Sequence, residues 1–269
     1  MSGAVRVVGI CLVHNEDRFL HTVLGNALAL CDELIVADHA SNDRSASIAQ
    51  AWARRDGRVR YRAIANPPES HTLLRPYLNT PTWIFGVDGD EVYDPRGLAA
   101  FRAELLGGRH AKVRQIYGNV LHCVELDEAA GRARGHLAPP CRSMTKLYNF
   151  AALRNWTGPN PERLHGGAPV FNAGFDATMD ARLHEQVPWD EAIFRCLHMV
   201  FLPRSSSDPA GRVRMNIAEK NNLAGFARLR HRVARLLGRE ADSTYKHEKY
   251  RRGPVVEVDA RPFFPEGLP

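Results

Sequence analysis

Apolar and polar positions fall in alternating blocks along the first hundred residues. Val5 to Val13 is an almost unbroken apolar run, as in a strand covered on both faces, and it ends in His14-Asn15-Glu16-Asp17. Arg18 to Leu30 then carries Phe19, Leu20, Val23, Leu24 and Leu28 at helical spacing. A second strand is predicted over Glu33 to Ala37, stopping at Asp38 before His39-Ala40-Ser41-Asn42-Asp43. Ser45 to Arg55 reads as a helix, Val59 to Ala63 as a third strand and Trp83 to Val87 as a buried one. Asp94-Pro95 signals the next helix start. Strands alternating with helices predict an α/β fold, a Rossmann-like, mostly parallel sheet flanked by helices.

The buried strand over Trp83 to Val87 ends in Asp88-Gly89-Asp90-Glu91, three carboxylates within four residues. In an open α/β sheet the carboxyl ends of the strands are where ligands bind. Carboxylates crowded there repel one another unless a cation neutralises them, and oxygen ligands suit Mg2+ or Mn2+. An acidic turn that merely caps the following helix is the competing reading. A dinucleotide site of Rossmann type does not fit, because the turn after the first strand lacks G-x-G-x-x-G. A phosphatase with D-x-D after its first strand fits poorly too, since the motif here follows roughly the fourth.

The succession Val13-His14-Asn15-Glu16, Asp32 to Asp38, Ser41-Asn42-Asp43 and Trp83 to Glu91 resembles family 2 glycosyltransferases of the GT-A fold. Their usual pattern is an N-terminal "NE" turn, a "DE-apolar-D-x-x-S-x-D" strand and a "W-apolar-D-x-D-E" strand. The match covers about the first hundred residues and departs at His39-Ala40, where a small residue or glycine is more usual. The resemblance implies that Asp38 accepts a hydrogen bond from the nucleotide base. Val13, Asn15, Glu16 and Asp43 would lie near base and ribose, Asp88 and Gly89 would face the ribose, and Asp90 would hold a divalent cation on the diphosphate. It also implies a role for His198 in Arg195-Cys196-Leu197-His198-Met199, as a second metal ligand that favours Mn2+ over Mg2+. Arg204 would then partner the diphosphate. A histidine among apolar residues is otherwise a packed core histidine.

The middle of the chain is expected to hold the acceptor side. Ala111 to Val124 reads as a long strand, followed by a turn-rich stretch from Gly131 to Pro140 and a strand over Met144 to Phe150. Relatives carry "aromatic-x-G-x-x-HE" in this region, with the carboxylate as general base. In Gly158-Pro159-Asn160-Pro161-Glu162 that place falls to Glu162; Glu185 in His184-Glu185-Gln186-Val187 is the second candidate. The chemistry asks for one carboxylate beside the acceptor hydroxyl, buried enough to be basic near neutral pH.

Charge changes the picture only at the C-terminal end. The chain of 269 residues has a formal net charge of +6, yet residues 212–252 alone hold 12 Lys or Arg against four acids. Phe226, Leu229, Val233, Leu236 and Leu237 recur there at helical spacing, with Arg228, Arg230, Arg232, Arg235 and Arg239 mostly on other faces. Three readings compete: a solvated helix, peripheral contact with an anionic membrane, or contact with the donor diphosphate through Lys246, Lys249, Arg251 or Arg252. Nucleic acid is not expected, since no aromatic platform is interleaved with the charges. No stretch reaches the apolar length of a membrane span, and Val5 to Val13 does not have the form of a signal peptide. Five cysteines at wide spacing point to reduced thiols and a cytoplasmic setting.

The expected organisation is a glycosyltransferase domain over 1–210, divided into a donor half (1–106) and an acceptor half (107–210). A basic helical extension over 211–269 packs on it. The expected reaction is an inverting, metal-dependent transfer from a nucleotide-diphospho-sugar to a hydroxyl of a small-molecule, glycan or lipid acceptor. A nucleotidyltransferase of similar fold would need a Gly-rich basic loop after the first strand. A non-catalytic sugar-nucleotide-binding module would keep Asp38 and Asp90 but transfer nothing.

Overall fold

The structure, a computed structural model, describes residues 4–157, 167–208, 213–214 and 243–267. Its main sheet has seven strands: β1 (Arg6–Val13), β2 (Glu33–His39), β3 (Val59–Ile64), β4 (Thr82–Asp88), β6 (Gln115–Tyr117), β9 (Thr145–Asn149) and β12 (Asp180–Arg182). They are ordered β12-β6-β9-β4-β1-β2-β3, and only β9 runs against the others. The sheet is therefore mostly parallel, and the fold is mixed α/β. Strands β1, β2 and β4 are buried along almost their whole length, which is why their sequences read as continuous apolar runs.

Helices α1 (Leu20–Ala27), α2 (Ser45–Arg55) and α4 (Pro95–Leu106) follow β1, β2 and β5 (Glu91–Tyr93), while α3 is the single turn Glu69–Thr72. Helix α4 starts where Asp94-Pro95 predicts, with the Asp94 side chain accepting from the Arg96 and Gly97 amides. Phe101 of α4 stacks on Phe194 at 4.7 Å, and Phe85 and Tyr93 close the same aromatic cluster. Such ring pairs add about 1 kcal/mol each beyond the area they bury.

A second sheet, ordered β14-β8-β7-β13-β5, adds β7 (Asn119–Asp127), β8 (Arg132–Leu137), β13 (Arg195–His198) and β14 (Val255–Asp259). Strands β10 (Leu153–Thr157) and β11 (Ala168–Phe171) form a separate pair. The chain passes from the first sheet to the second between β4 and β5, so Asp88-Gly89-Asp90-Glu91 is the junction of the two.

Two expectations in the middle of the chain are corrected. Ala111 to Val124 is not one strand: it breaks at Gly118, and β6 and β7 go to different sheets. A side chain at Gly118 would stand 2.7 Å from the Phe194 ring, so the bend needs a residue without one. The stretch from Gly131 to Pro140 contains β8, whose alternating buried and exposed positions were masked by its glycines and arginines. The helical face over Phe226 to Arg239 and the base candidate Glu162 lie outside the described residues. Among the described residues the helix next after α5 (Leu183–Gln186) is α6 (Thr244–Tyr250), and β14 pairs with β8. None of the five cysteines forms a disulfide, and all are buried. Among the described residues, no helix is long and apolar enough to cross a membrane.

Candidate functional site

Three neighbouring strands end level with one another. Val13 pairs with Asp38, and Leu12 with Asp88, so Asp38 and Asp88 flank the end of β1. Two strand spacings separate them, about 10 Å, which a nucleotide can span. The turns beyond β1 and β2 are laced together. The Asn15 and Glu16 amides donate to Ser41 Oγ (3.0 Å) and Ser45 Oγ (2.8 Å), and Asn15 Oδ1 accepts from the Asn42 amide at 2.8 Å. Asn15 and Ala40 both take left-handed backbone, with φ of 56° and 50°. A residue with a Cβ meets a cost of roughly 1–2 kcal/mol there, at Ala40 as at Asn15.

The sequence-selected side chains separate into two groups. Asn15 and Asp43 hold the scaffold: Asp43 accepts from the Ser45 amide at 2.8 Å and from Ser205 Oγ at 2.6 Å. Asp38 lines the lip, buried, with one oxygen on Tyr61 Oη (3.0 Å) and the other on the Ser41 amide (3.2 Å). Asp17, with its side chain fully covered, accepts from the Ser206 amide (2.7 Å), Ser206 Oγ (2.6 Å) and Arg44 Nε (3.0 Å). Burial acts to raise its pKa, but these bonds outweigh it and hold the carboxyl at about 2. The loop carrying Arg204 is thereby pinned to the turn carrying Glu16.

Arg204, Glu16 and Asp90 form a buried charged knot. Arg204 Nη1 lies 2.5 Å from Asp90 Oδ2 and 3.3 Å from Glu16 Oε1, and all three residues are at most 7% exposed. Burial and the charge of Asp90 raise the Glu16 pKa. Burial works the same way on Asp90, but Arg204 and His198 overcome it and keep this carboxyl ionised. Two polar atoms of the knot, Glu16 Oε2 and Arg204 Nη2, are buried with no hydrogen-bond partner among the described residues. Groups left so in a native interior carry a cost of about 1–3 kcal/mol each, a state expected where a ligand completes the set.

Gly89 makes this arrangement fit. A Cβ there would come within 2.3 Å of Glu16 Oε2. Gly89→Ala should therefore dislodge the Glu16 carboxylate, costing about 1–3 kcal/mol in denaturant unfolding. If a nucleoside diphosphate occupies this lip, the same substitution should weaken its binding by roughly tenfold in calorimetric titration; unchanged binding would separate Glu16 and Gly89 from it.

His198 reaches the knot through strand register. It pairs with Glu91 of β5 and His122 of β7, and the Met199 amide donates to the Asp90 carbonyl at 2.8 Å. Its Nε2 stands 3.7 Å from Asp90 Oδ2, and burial drives its pKa down to about 4, leaving a neutral imidazole. Behind it, Lys146 Nζ lies 2.5 Å from Glu91 Oε1 and 3.5 Å from Asp88 Oδ2. Helix α6 closes the other side. Its Lys246 senses the charges of Arg204, Asp90, Asp88 and Glu16, and burial lowers its pKa to about 8. Arg214 donates to the carbonyls of His14 and Asn15. Of the other basic C-terminal candidates, Arg251 lies over the Phe201 ring at 4.2 Å and Arg252 donates to the Glu248 carbonyl, so neither is directed at the carboxylates.

As a cation site this constellation offers one carboxylate and one neutral imidazole. Among the described residues, no group of three or more His, Cys, Asp or Glu side chains gathers for a metal. Asp90 and His198 nevertheless fit an ion that takes its remaining ligands from phosphate oxygens and water, as Mg2+ and Mn2+ do in nucleotide sites. The imidazole tilts the donor set towards a transition metal. Glu185 lies just after β12, which runs parallel to β6 and so ends on the same lip. Its side chain is 49% exposed and 3.2 Å from Arg182 Nη1, a surface ion pair rather than an enclosed base.

Sequence reasoning missed His122, Lys146, Tyr61 and Arg214. His122 and Lys146 each sit among apolar neighbours, the pattern of a packed core position, and only strand pairing brings them to the carboxylates.

No protein-family model and no curated protein matches this chain. Among solved structures it is similar to a mannosyltransferase from Pyrobaculum calidifontis in complex with GDP-Man and Mn2+. That likeness has 22% identity and a TM-score of 0.31, covering 45% of this chain and 35% of the other. Glucosyl-3-phosphoglycerate synthase from Mycobacterium tuberculosis, in complex with Mn2+, UDP and glucosyl-3-phosphoglycerate, gives 20% identity and a TM-score of 0.31 over 42% and 43%. In these two comparisons the chain spans less than half the length of its match. In complex with Mn2+, UDP-Glc and phosphoglyceric acid, the same synthase gives 15% identity and a TM-score of 0.43 over 89% and 82%.

Proposed function

We propose that this protein is a family 2-like glycosyltransferase of GT-A type, moving a sugar from a nucleotide-diphospho-sugar to a hydroxyl acceptor with inversion. The observation that carries the reading is the buried knot at the sheet junction. Asp90 Oδ2 and His198 Nε2 lie 3.7 Å apart, and Arg204 Nη2 is buried beside them without an acceptor among the described residues.

Asp38, Val13 and Asp88 would receive base and ribose along the strand ends. A divalent cation on Asp90 and His198, Mn2+ in preference to Mg2+, would neutralise charge on the departing nucleoside diphosphate. Arg204 is expected to turn its unpartnered Nη2 to a phosphate oxygen, and Lys246 adds a second positive charge on the same side. Such fixed cations stabilise the leaving group without reorganising when the bond breaks. Glu162 is the preferred general base, with Glu185 the alternative on the described lip. A single displacement by the acceptor oxygen gives inversion.

A thermal-shift panel of nucleoside diphosphates tests this, each measured with and without Mn2+. One nucleotide should raise Tm with Mn2+ present and do far less without it, because protein and diphosphate share the ion. Binding at 100 times Kd corresponds to about 2.7 kcal/mol of added stability. A panel with no Mn2+-dependent shift would overturn the donor reading. A clear shift together with no transfer to any acceptor would favour a binding module.

A further inference from the structure

The two buried histidines behind Asp90 determine each other's protons. His122 of β7 and His198 of β13 are 0% and 5% exposed, and their Nδ1 atoms face each other at 2.9 Å. One proton can lie on that line; two would collide. The other nitrogen of His122, Nε2, is 2.9 Å from the Arg142 carbonyl oxygen. A carbonyl only accepts, so His122 Nε2 must be the N–H.

The surroundings of His122 keep it neutral. Tyr250 of α6 stacks on its ring at 4.2 Å with an interplanar angle of 10°, and His198 covers the remaining edge. Among the described residues no carboxylate pairs with the His122 ring, and interior burial penalises an imidazolium left so. With Nε2 protonated and the ring neutral, His122 Nδ1 is a lone pair. The shared proton therefore belongs to His198 Nδ1. That leaves Nε2 as the nitrogen of His198 turned towards Asp90 Oδ2, at 3.7 Å, and the one whose lone pair a cation can take.

We propose that His122 is a positioning residue, fixing His198 in the Nδ1–H tautomer so that its Nε2 lone pair and the Asp90 carboxylate can ligate one divalent cation. The proposal rests on the donor reading above for its cation; the tautomer itself follows from the hydrogen bonds and the burial of His122. In the opposite tautomer an N–H would point at Asp90, and the pair would bond to itself instead of to an ion. The relay runs Arg142 carbonyl, His122, His198, Asp90. Tyr250 seals it, so the C-terminal helix contributes to the site by holding a ring as well as through Lys246. Partners of this kind orient metal-bound histidines, and their loss usually weakens metal binding by about 10–100-fold.

Two measurements test it. In the metal-free protein labelled with 15N at its histidines, long-range 1H–15N correlations should show Nδ1–H for His198 and Nε2–H for His122. Observing Nε2–H at His198 overturns the proposal. Mn2+ affinity is then measured by electron paramagnetic resonance in the presence of UDP and, separately, GDP. His122→Phe keeps a ring for Tyr250 to stack on but removes both nitrogens, and should weaken Mn2+ by about 10–100-fold. His122→Gln, whose amide can accept from His198 and donate to the Arg142 carbonyl, should stay within about threefold of wild type. Equal Mn2+ affinity in wild type and a folded His122→Phe overturns the role of His122 alone. Wild-type protein that binds no Mn2+ with either nucleotide overturns the donor reading and the proposal together. Should His122→Phe fail to fold, the wild-type tautomer and the His122→Gln affinity decide.

Discussion

Asp90→Asn is expected to abolish Mn2+-dependent binding of a nucleoside diphosphate while the protein still folds. In the proposed site this carboxylate would be the charged ligand of the cation, and it is also the closest partner of Arg204. Asparagine keeps an oxygen for the arginine but removes the charge, so the metal loses an anionic ligand it cannot replace. Metal stabilisation of a leaving group is worth several kcal/mol, so transfer should fall by roughly a thousandfold, about 4 kcal/mol. Breaking a buried ion pair can cost about 3–5 kcal/mol, and the lower end applies because Arg204 still has Glu16 and an amide oxygen. Calorimetric titration with Mn2+ and nucleotide, alongside denaturant unfolding, separates the two losses. Full Mn2+-dependent turnover in a folded Asp90→Asn would remove Asp90 from the metal site.

The other large effect is expected at the general base. Glu162→Gln should bind nucleotide normally yet transfer sugar roughly a hundredfold to ten-thousandfold more slowly, because only proton removal from the acceptor is lost. Glu185→Gln should stay near wild type. Its half-exposed, Arg182-paired side chain lacks the enclosure that makes a carboxylate basic. Glutamine preserves size and hydrogen-bonding shape in both, so a difference in kcat at constant donor affinity reports basicity and not packing. The reverse pattern would place the base at the end of β12. Wild-type rates in both would place it elsewhere on the lip.

Much of the scaffold was legible in the chain because parallel strands buried on both faces must be apolar throughout and must end abruptly where solvent begins. That constraint alone located β1, β2 and β4 and put Asp38 and Asp88 at the carboxyl ends of β2 and β4, while the Asp94-Pro95 pair marked a helix cap. The second sheet was less legible. Gly118 turns one apparent strand into two, and β8 alternates over arginines and glycines, so its pairing with β7 and β14 carries the signal that its composition lacks.

The site divides along the same line. Local sequence determined that carboxylates would crowd at the end of β4, since adjacency in the chain is adjacency in space across a two-residue turn. Only tertiary structure decided what neutralises them. Arg204 lies 114 residues from Asp90, and His122 and His198 are 76 residues apart. These meet because β13 registers against β5 on one side and β7 on the other. Side-chain identity states which chemistry a position can offer; which groups share a proton or a cation depends on distances of a few ångströms. Those are set by strand register and by the helix laid across it, neither of which a local pattern encodes.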